Sequence, residues 1–290
     1  MDNVKTISRN VLEHLKKVAA EKGESLEALL GLYFQERLLY RLSVSAYQER
    51  FLLKDHLLLY SLTNGAVKSS GEISLVAKQM PEDVSTVKRT FMDICSIQFH
   101  EDGIRFLEDE LVITMKNEEF QISIPVTLDQ TKAYIQVRIS FWDSLLSTPK
   151  KIVFPSLLEM ASPMILAYPT ALIIAEKFEK MTSCVAPDCL MKDFYDIYLL
   201  SNTQKIEGRL LQEAISETFD NHRTIIEKHH PLFYADMEKT KEWQVYFGPT
   251  SLQFEEVIKR LQILLLPIYN VIVEEGEFFK SWDNELYVWQ

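Results

Sequence analysis

The sequence has little glycine, little cysteine and a deficit of positive charge. Only 8 of its 290 residues are glycine, which favours a helix-rich fold over a barrel or sandwich and leaves little material for a glycine-rich phosphate loop. The 3 cysteines fit a reducing compartment, and Cys184 and Cys189 lack the second pair of ligands that a zinc site needs. The formal net charge of −11 argues against a protein that coats DNA, because such proteins usually carry a basic excess.

Long hydrophobic runs are also missing. The longest candidate, Leu261 to Val273, is interrupted by Pro267 and Asn270 and is shorter than the ~20 apolar residues of a membrane span. Residues 1–17 contain no apolar signal core, so we expect a cytoplasmic protein with no membrane partner. Hydrophobic residues make up 47% of the chain and charged residues 25%, as in ordinary globular proteins, which excludes a disordered chain.

Hydrophobic periodicity and capping residues predict a helical start, a mixed middle and a helical end of the chain. Residues 133–142 alternate between apolar and polar side chains and give the clearest strand pattern. Residues 221–250 show no such pattern and are expected to be irregular. The predicted elements are helices at 9–22, 26–42 and 51–62, a strand at 72–78, a helix at 81–96, strands at 111–116, 120–128 and 133–142, and helices at 171–182, 190–202, 206–219 and 252–275.

The order of these elements predicts an α+β fold, with a mixed β-sheet and flanking helices followed by a C-terminal helical region. We therefore expect two domains. Residues 1–165 would form the sheet together with the N-terminal helices, and residues 166–290 would form an all-helical domain.

Two charged segments in the second half of the chain contain candidate site residues. Lys177 lies in the first segment, and Asp193 and Asp196 lie in the second, where a spacing of three places both carboxylates on one helix face. A lysine on one helix and carboxylates on the next can converge on a phosphate or a base. Judged from spacing alone, ordinary salt-bridged helix faces are the favoured interpretation.

Four separated segments carry a family resemblance. They are residues 33–43 (YFQERLLYRLS), 50–54 (RFLLK), 175–181 (AEKFEKM) and 192–198 (KDFYDIY). In this order they resemble motifs of the AbiEii/AbiGii-like nucleotidyltransferase family, the toxin component of type IV toxin–antitoxin systems. The resemblance runs from about residue 8 to residue 201, and it implies a nucleotidyltransferase-fold core in residues 1–165.

The resemblance implies a reaction that transfers a nucleotidyl group from a nucleoside triphosphate. In the family, a D-x-D strand and a third carboxylate hold a divalent metal, and a glycine-rich turn approaches the phosphates. Carried over to this chain, the catalytic residues would be Glu72, Lys177 and Asp193. The nucleotide-binding residues would be Lys54, Lys68, Ser70, Arg138 and Asp196.

The sequence departs from the family at its metal positions. Residues 53–56 read LKDH where the family has LKGG, Glu72 and Ser74 stand at the two D-x-D positions, and Arg138 replaces the third ligand. Arg138 is always protonated and opposes a divalent cation, and it could instead pair with Glu72. We therefore predict that no residue ligates a metal and that metal-dependent transfer is impaired or lost.

Three functions remain open. The first is a pseudoenzyme of a toxin–antitoxin or phage-defence locus, which binds a nucleotide or a partner such as a cognate antitoxin. The second is an active toxin with a rebuilt site, which uses a nucleoside triphosphate and one Mg²⁺ ion or none. In it Arg138 stabilises phosphate charge in place of a cation, and a nucleoside monophosphate is transferred to an RNA end or a protein hydroxyl. The third is an interaction protein with no nucleotide site.

Overall fold

A computed structural model describes residues 2–65, 71–141, 149–183, 187–226, 231–233, 237–248 and 251–290. These residues form two compact units, the first ending at Tyr168 and the second beginning at Pro169. The fold class is the α+β class that the element order predicts, with a mixed sheet and flanking helices. Among the described residues, no helix is both long and apolar enough to cross a membrane.

The first unit contains four α-helices, two short 3-10 helices (His100–Asp102 and Glu108–Glu110) and eight strands within its described residues. The elements are α1 (Asp2–Lys22), α2 (Leu26–Val44), β1 (Phe51–Lys54), α3 (Asp55–Leu62), β2 (Glu72–Ala77), α4 (Val84–Ser96), β3 (Ile104–Phe106), β4 (Val112–Lys116), β5 (Glu119–Leu128), β6 (Thr131–Phe141), β7 (Lys150–Val153) and β8 (Met164–Ala167).

All eight strands belong to one mixed sheet in the order β3-β5-β6-β2-β1-β8-β7, with β4 also paired to β5. Strand β2 runs antiparallel to β1 and parallel to β6. Its register places Ser74 beside Lys54 on one side and beside Arg138 on the other. Side chains alternate between the two faces of a strand. This register therefore brings polar residues of three neighbouring strands onto the same face, while Ile73 and Ile139 lie buried on the opposite face.

Buried charged residues connect helix α2 to the rest of the first unit. Arg41 forms an ion pair of 2.6 Å with Asp102, and both side chains are buried. Glu36 accepts hydrogen bonds from the hydroxyl of Ser156 and the amide of Leu157, and burial raises the pKa of this carboxyl group. The charged residues of the segment 33–43 therefore have structural partners in the interior of the unit, as buried charges require.

The second unit is mainly helical, but it also contains a small sheet. Its elements are α5 (Thr170–Ser183), α6 (Pro187–Thr203), β9 (Ile206–Glu207), α7 (Gly208–His222), α8 (Met237–Phe247), α9 (Phe254–Val273), β10 (Ser281–Asp283) and β11 (Val288–Trp289). Strand β10 pairs with β9 and β11. Gly208 lies where this sheet meets α7, and any side chain there would overlap the ring of Phe278.

The structure corrects four of the predicted elements. Residues 51–62 are not one helix, because the buried strand β1 precedes α3, and a short apolar run does not distinguish a strand from a helix. Helix α4 begins at Val84 with the Asp83 side chain as its cap, so Pro81 lies outside it. Helix α8 occupies part of the supposedly irregular segment 221–250, and the sheet β9-β10-β11 means that residues 166–290 are not all helical.

Candidate active site

The predicted site residues divide between the two units. Lys68 and Ser70 lie outside the described residues, as does Cys184. In the first unit the structure places Lys54, Glu72 and Arg138, and in the second unit it places Lys177, Asp193 and Asp196.

In the first unit, polar side chains gather around Arg138. Its Nη2 atom donates hydrogen bonds of 3.0 Å to Oδ2 of Asp55 and of 3.0 Å to Oγ of Ser74. Its Nε atom lies 3.7 Å from Oε1 of Glu72 and 3.6 Å from Oε2 of Glu119. We call these five residues the Arg138 cluster. The predicted contact with Glu72 is present, but Asp55 and Ser74 are the closer partners.

Strand pairing explains why these residues meet. Ser74 and Arg138 are direct partners in the parallel pair β2–β6, and Glu72 lies two residues earlier on the same face of β2. Glu119 is on β5, the other neighbour of β6. Asp55 follows directly after β1, which pairs with β2. The Arg138 side chain is 34% exposed, so the cluster is partly open to water.

Lys54 contacts an aromatic ring. Its Nζ atom lies 4.5 Å from the centroid of the Tyr168 ring, within the range of a cation–π interaction. Tyr168 itself is buried and its amide donates a hydrogen bond to the carbonyl of Leu53. Lys54 is thus positioned at the end of β1 by its packing on Tyr168.

The Arg138 cluster does not fit a divalent metal. Mg²⁺ needs oxygen ligands at about 2.0–2.1 Å and Ca²⁺ at about 2.3–2.6 Å, with negative charge facing the ion. Here the oxygen atoms of Asp55 and Ser74 already accept hydrogen bonds from a permanent cation, and a second cation would be repelled by it. No group of three or more histidine, cysteine, aspartate and glutamate side chains within the described ranges could hold a metal ion.

In the second unit, Lys177 joins two helices. Its Nζ atom on α5 lies 2.7 Å from Oδ1 of Asp193 and 2.7 Å from Oδ2 of Asp196, both on α6. Lys180 adds a contact of 3.1 Å to Oδ2 of Asp193. We call these four residues the Lys177 cluster. The carboxylates are almost fully buried, whereas Lys180 is half exposed.

The charge state of Lys177 follows from its surroundings. Burial alone would lower the pKa of its amine, but the adjacent carboxylates of Asp196 and Asp193 outweigh burial and raise this pKa above the ordinary value. Lys177 is therefore protonated at neutral pH and bonded to both aspartates. This arrangement stabilises the contact between α5 and α6, and it leaves the amine engaged with protein carboxylates.

Four residues of the two clusters, Asp55, Ser74, Glu119 and Lys180, are not among the predicted site residues. Glu119 begins β5, where strand alternation places it on the same face as Gln121, the direct partner of Arg138; this alternation was the available signal. Asp55 stands where the family motif has a glycine, and the sequence analysis assigns it no partner. Its pairing with Arg138 joins positions 83 apart in the sequence, and nothing in the local pattern indicates it.

Helix α5 also contacts α7 through a buried acid. Glu179 accepts a hydrogen bond from the hydroxyl of Thr224, and its Oε2 atom lies 2.8 Å from Nδ1 of His222. Burial by itself raises the pKa of Glu179, but the bonds from Thr224 and His222 outweigh it and lower this pKa below the usual value. The Glu179 carboxylate is therefore charged in the folded protein.

Comparison with known proteins points to one family and one fold. The family model described as nucleotidyl transferase AbiEii toxin, type IV TA system, matches residues 37–260. Among solved structures, the chain is similar to MenT4, a nucleotidyltransferase toxin from Mycobacterium tuberculosis H37Rv. The identity is 16%, the match covers 89% of this chain and 98% of that chain, and the TM-score is 0.56, which shows a shared fold.

A weaker likeness is to JHP933 from Helicobacter pylori. Its identity is 12%, the match covers 87% of this chain and 95% of that chain, and the TM-score is 0.47. No curated protein sequence matches the chain.

Proposed function

Because the chain belongs to the AbiEii family of nucleotidyl transferase toxins of type IV toxin–antitoxin systems, as its motifs predict, we propose that it has kept the family fold and lost metal-dependent nucleotidyl transfer. Its function is then to bind a partner protein, and the partner that the family implies is an antitoxin. This makes it a pseudoenzyme of a toxin–antitoxin pair.

One observation carries the proposal. The Arg138 guanidinium is bonded to Asp55 and Ser74 and faces Glu72 and Glu119. Nucleotidyl transfer in this family uses a divalent cation to neutralise the triphosphate. The resemblance assigns Arg138 to one of the three family ligand positions. There its permanent positive charge opposes that cation, so the charge neutralisation on which the reaction depends would be missing.

The same cluster also disfavours a nucleotide without metal. It contains three carboxylates and one guanidinium. Its net charge is therefore negative and would repel a triphosphate that carries no metal ion. In the second unit, Lys177 is bonded to two aspartates. Binding of a protein partner is therefore better supported than binding of a nucleotide.

The exposure of Arg138 favours one alternative. About a third of this side chain is accessible, and a guanidinium can stabilise the charge of a transferred phosphoryl group. Under this alternative the chain is an active toxin that transfers a nucleoside monophosphate from a triphosphate to an RNA end or a protein hydroxyl.

Calorimetry with the full chain separates the two functions. Each of the four ribonucleoside triphosphates is titrated with and without Mg²⁺, and labelled transfer to total RNA and to protein is measured in parallel. We expect neither binding nor transfer, in protein shown to be folded by circular dichroism. Transfer, with or without Mg²⁺, would overturn the proposal and favour the alternative. Metal-independent binding that is lost in Arg138→Met and is not accompanied by transfer would instead indicate a pseudoenzyme that binds a nucleotide.

Partner binding is tested by coexpression with the product of the neighbouring gene. We expect a stable complex of defined stoichiometry in size-exclusion chromatography with light scattering. Matched samples expressed alone provide the control. Elution of both proteins as separate species would contradict an antitoxin-binding function.

A further inference from the structure

The Arg138 guanidinium lies where oxygen atoms from three neighbouring elements converge. Asp55 opens α3, Glu72 and Ser74 lie on β2, and Glu119 begins β5. Each of these residues has an oxygen atom within 3.0 to 3.7 Å of a guanidinium nitrogen. Such a ring of oxygen atoms around one positive group is the arrangement expected around a bound cation, and here a side chain of the protein supplies the positive charge.

The turn that carries Asp55 has the backbone of a glycine turn. Asp55 has a φ angle of 57°, in the left-handed region that glycine adopts without cost and that most other residues avoid. The resemblance places a glycine of the LKGG motif at this position. The backbone conformation expected for that glycine is therefore present, although the residue there carries an aspartate side chain.

Each replacement would be unfavourable on its own. Without Arg138, the Asp55 carboxylate would join Glu72 and Glu119 in a group of like charges. Without Asp55, Arg138 would lose one of its two hydrogen bonds at 3.0 Å. Together they compensate, because one residue supplies the cation and the other supplies its counter-ion.

We infer that Arg138 and Asp55 are a coupled pair that occupies the place of the metal ion, with Arg138 as an internal cation and Asp55 as its counter-ion in the turn that the resemblance identifies as phosphate-binding. This inference rests on the proposed function and explains how the three carboxylates of the cluster are balanced without a metal ion. The ion pair between Arg138 and Asp55 then connects the turn to strand β6.

The first experiment asks whether removing Arg138 makes the protein respond to a metal. Thermal unfolding is measured for the unaltered chain and for Arg138→Asp, with Mg²⁺ or Mn²⁺ alone and no nucleotide. We expect no change in the Tm of the unaltered chain. In the variant, metal at about 100 times its Kd multiplies the folding equilibrium constant by about 100, which corresponds to a rise in Tm of roughly 5–10 °C.

Two further variants make this result interpretable. Arg105→Asp introduces the same charge change at an exposed position of β3 and should give no metal response. Arg138→Ser removes the cation without adding a charge, and it replaces the aspartate variant if that protein does not fold. A metal-induced rise in the Tm of the unaltered chain would overturn the inference, and so would the absence of any rise in both Arg138 variants.

The second experiment tests the coupling itself. Asp55→Gly is made in the unaltered chain and in the Arg138→Asp chain, and the change in Tm is compared. We expect Asp55→Gly to raise the Tm more in the Arg138→Asp chain than in the otherwise unaltered chain. In the Arg138→Asp chain the substitution removes a carboxylate that other carboxylates repel. Equal effects in both backgrounds would show that the two residues act independently.

Neither outcome depends on catalysis. If the unaltered chain transfers nucleotides with Mg²⁺, the proposed function fails whatever the Tm data show. If it does not transfer nucleotides and the two backgrounds respond alike, only the coupled pair is wrong.

Discussion

The Arg138 cluster and the Lys177 cluster both surround a basic side chain with carboxylates, yet they differ in burial and in the length of their contacts. Lys177 has two contacts of 2.7 Å to carboxylates that are almost fully buried. Arg138 has two hydrogen bonds of 3.0 Å and two longer contacts, and each of its charged partners is more than 30% exposed.

This difference in burial indicates which of the family motifs can be explained by packing alone and which bear on catalysis. A buried carboxylate cannot lose its partner without leaving an uncompensated charge, whereas a half-exposed one is partly stabilised by water. Packing of α5 against α6 is therefore sufficient to explain why Lys177, Asp193 and Asp196 match the family. The exposed cluster is under no such constraint, and it contains the positions at which the resemblance predicts departures from the family motifs.

The strongest way to test the comparison is Lys177→Met. The substitution leaves two buried carboxylates without their cation, and breaking a buried ion pair in this way costs about 3–5 kcal/mol. Unfolding in urea, followed by tryptophan fluorescence, measures the loss mainly in the second unit, because three of the four tryptophans, Trp243, Trp282 and Trp289, belong to it. The free energy of unfolding should fall by this amount.

Lys180→Met is the matched control for that prediction. Lys180 also contacts Asp193, but its side chain is 50% exposed, so a loss of less than about 1 kcal/mol is expected. Similar losses in the two lysine variants would show that burial does not distinguish these contacts.

A second prediction concerns pH and the same unit. The pKa of Glu179 is lowered in the folded protein, so its stabilisation is complete above the ordinary carboxyl pKa of 4.5 and is lost as pH falls from there through the folded value. Glu179→Gln should cost about 1.5–3 kcal/mol at neutral pH, since it weakens two bonds to a buried charge. The variant should also lose less stability than the unaltered chain between neutral pH and acid pH.

That difference is measured by urea unfolding at a series of pH values. Other carboxyl groups with lowered pKa, such as those of Asp83 and Asp283, titrate in both proteins. Subtracting one curve of unfolding free energy against pH from the other therefore isolates the contribution of Glu179. If the free energy of unfolding depends on pH in the same way in both proteins, Glu179 does not have a lowered pKa in the folded protein.

The sequence was sufficient for the fold and for the family. Strand alternation over residues 133–142 predicted β6 closely, and the helices on either side of the Lys177 cluster follow from periodicity. The four motifs identified the family that the family model matches. These features could be predicted because they depend on local patterns of a few residues.

The sequence was not sufficient for β1, nor for the closest charged partner of Arg138. Leu52 and Leu53 are buried completely, so β1 has no polar alternation to distinguish it from a helix. Asp55 meets Arg138 only because β1, β2 and β6 are neighbours in the sheet. Such a contact depends on strand order, and strand order is a property of the whole sheet.

In the exposed cluster the expected effects are smaller. Arg138→Met removes two hydrogen bonds at 3.0 Å and leaves three partly solvated carboxylates together, so we expect a loss of about 1–2 kcal/mol. Hydrogen exchange of the amides in β2 and β6 reports the first unit directly. High salt should reduce the effect of this substitution and leave that of Lys177→Met nearly unchanged, since salt screens exposed charges more strongly. Equal salt dependence would remove the distinction between the clusters.

The smallest expected effect separates the backbone of Asp55 from its charge. Asp55→Ala and Asp55→Gly both remove the carboxylate that pairs with Arg138, but only alanine keeps a Cβ atom at a φ angle of 57°. The glycine variant should therefore be more stable than the alanine variant by about 1 kcal/mol. Urea unfolding of the two variants side by side, followed by circular dichroism, measures this difference. If alanine is equally stable, the turn has relaxed out of the left-handed conformation, and Arg138 is then what holds it there in the unaltered chain.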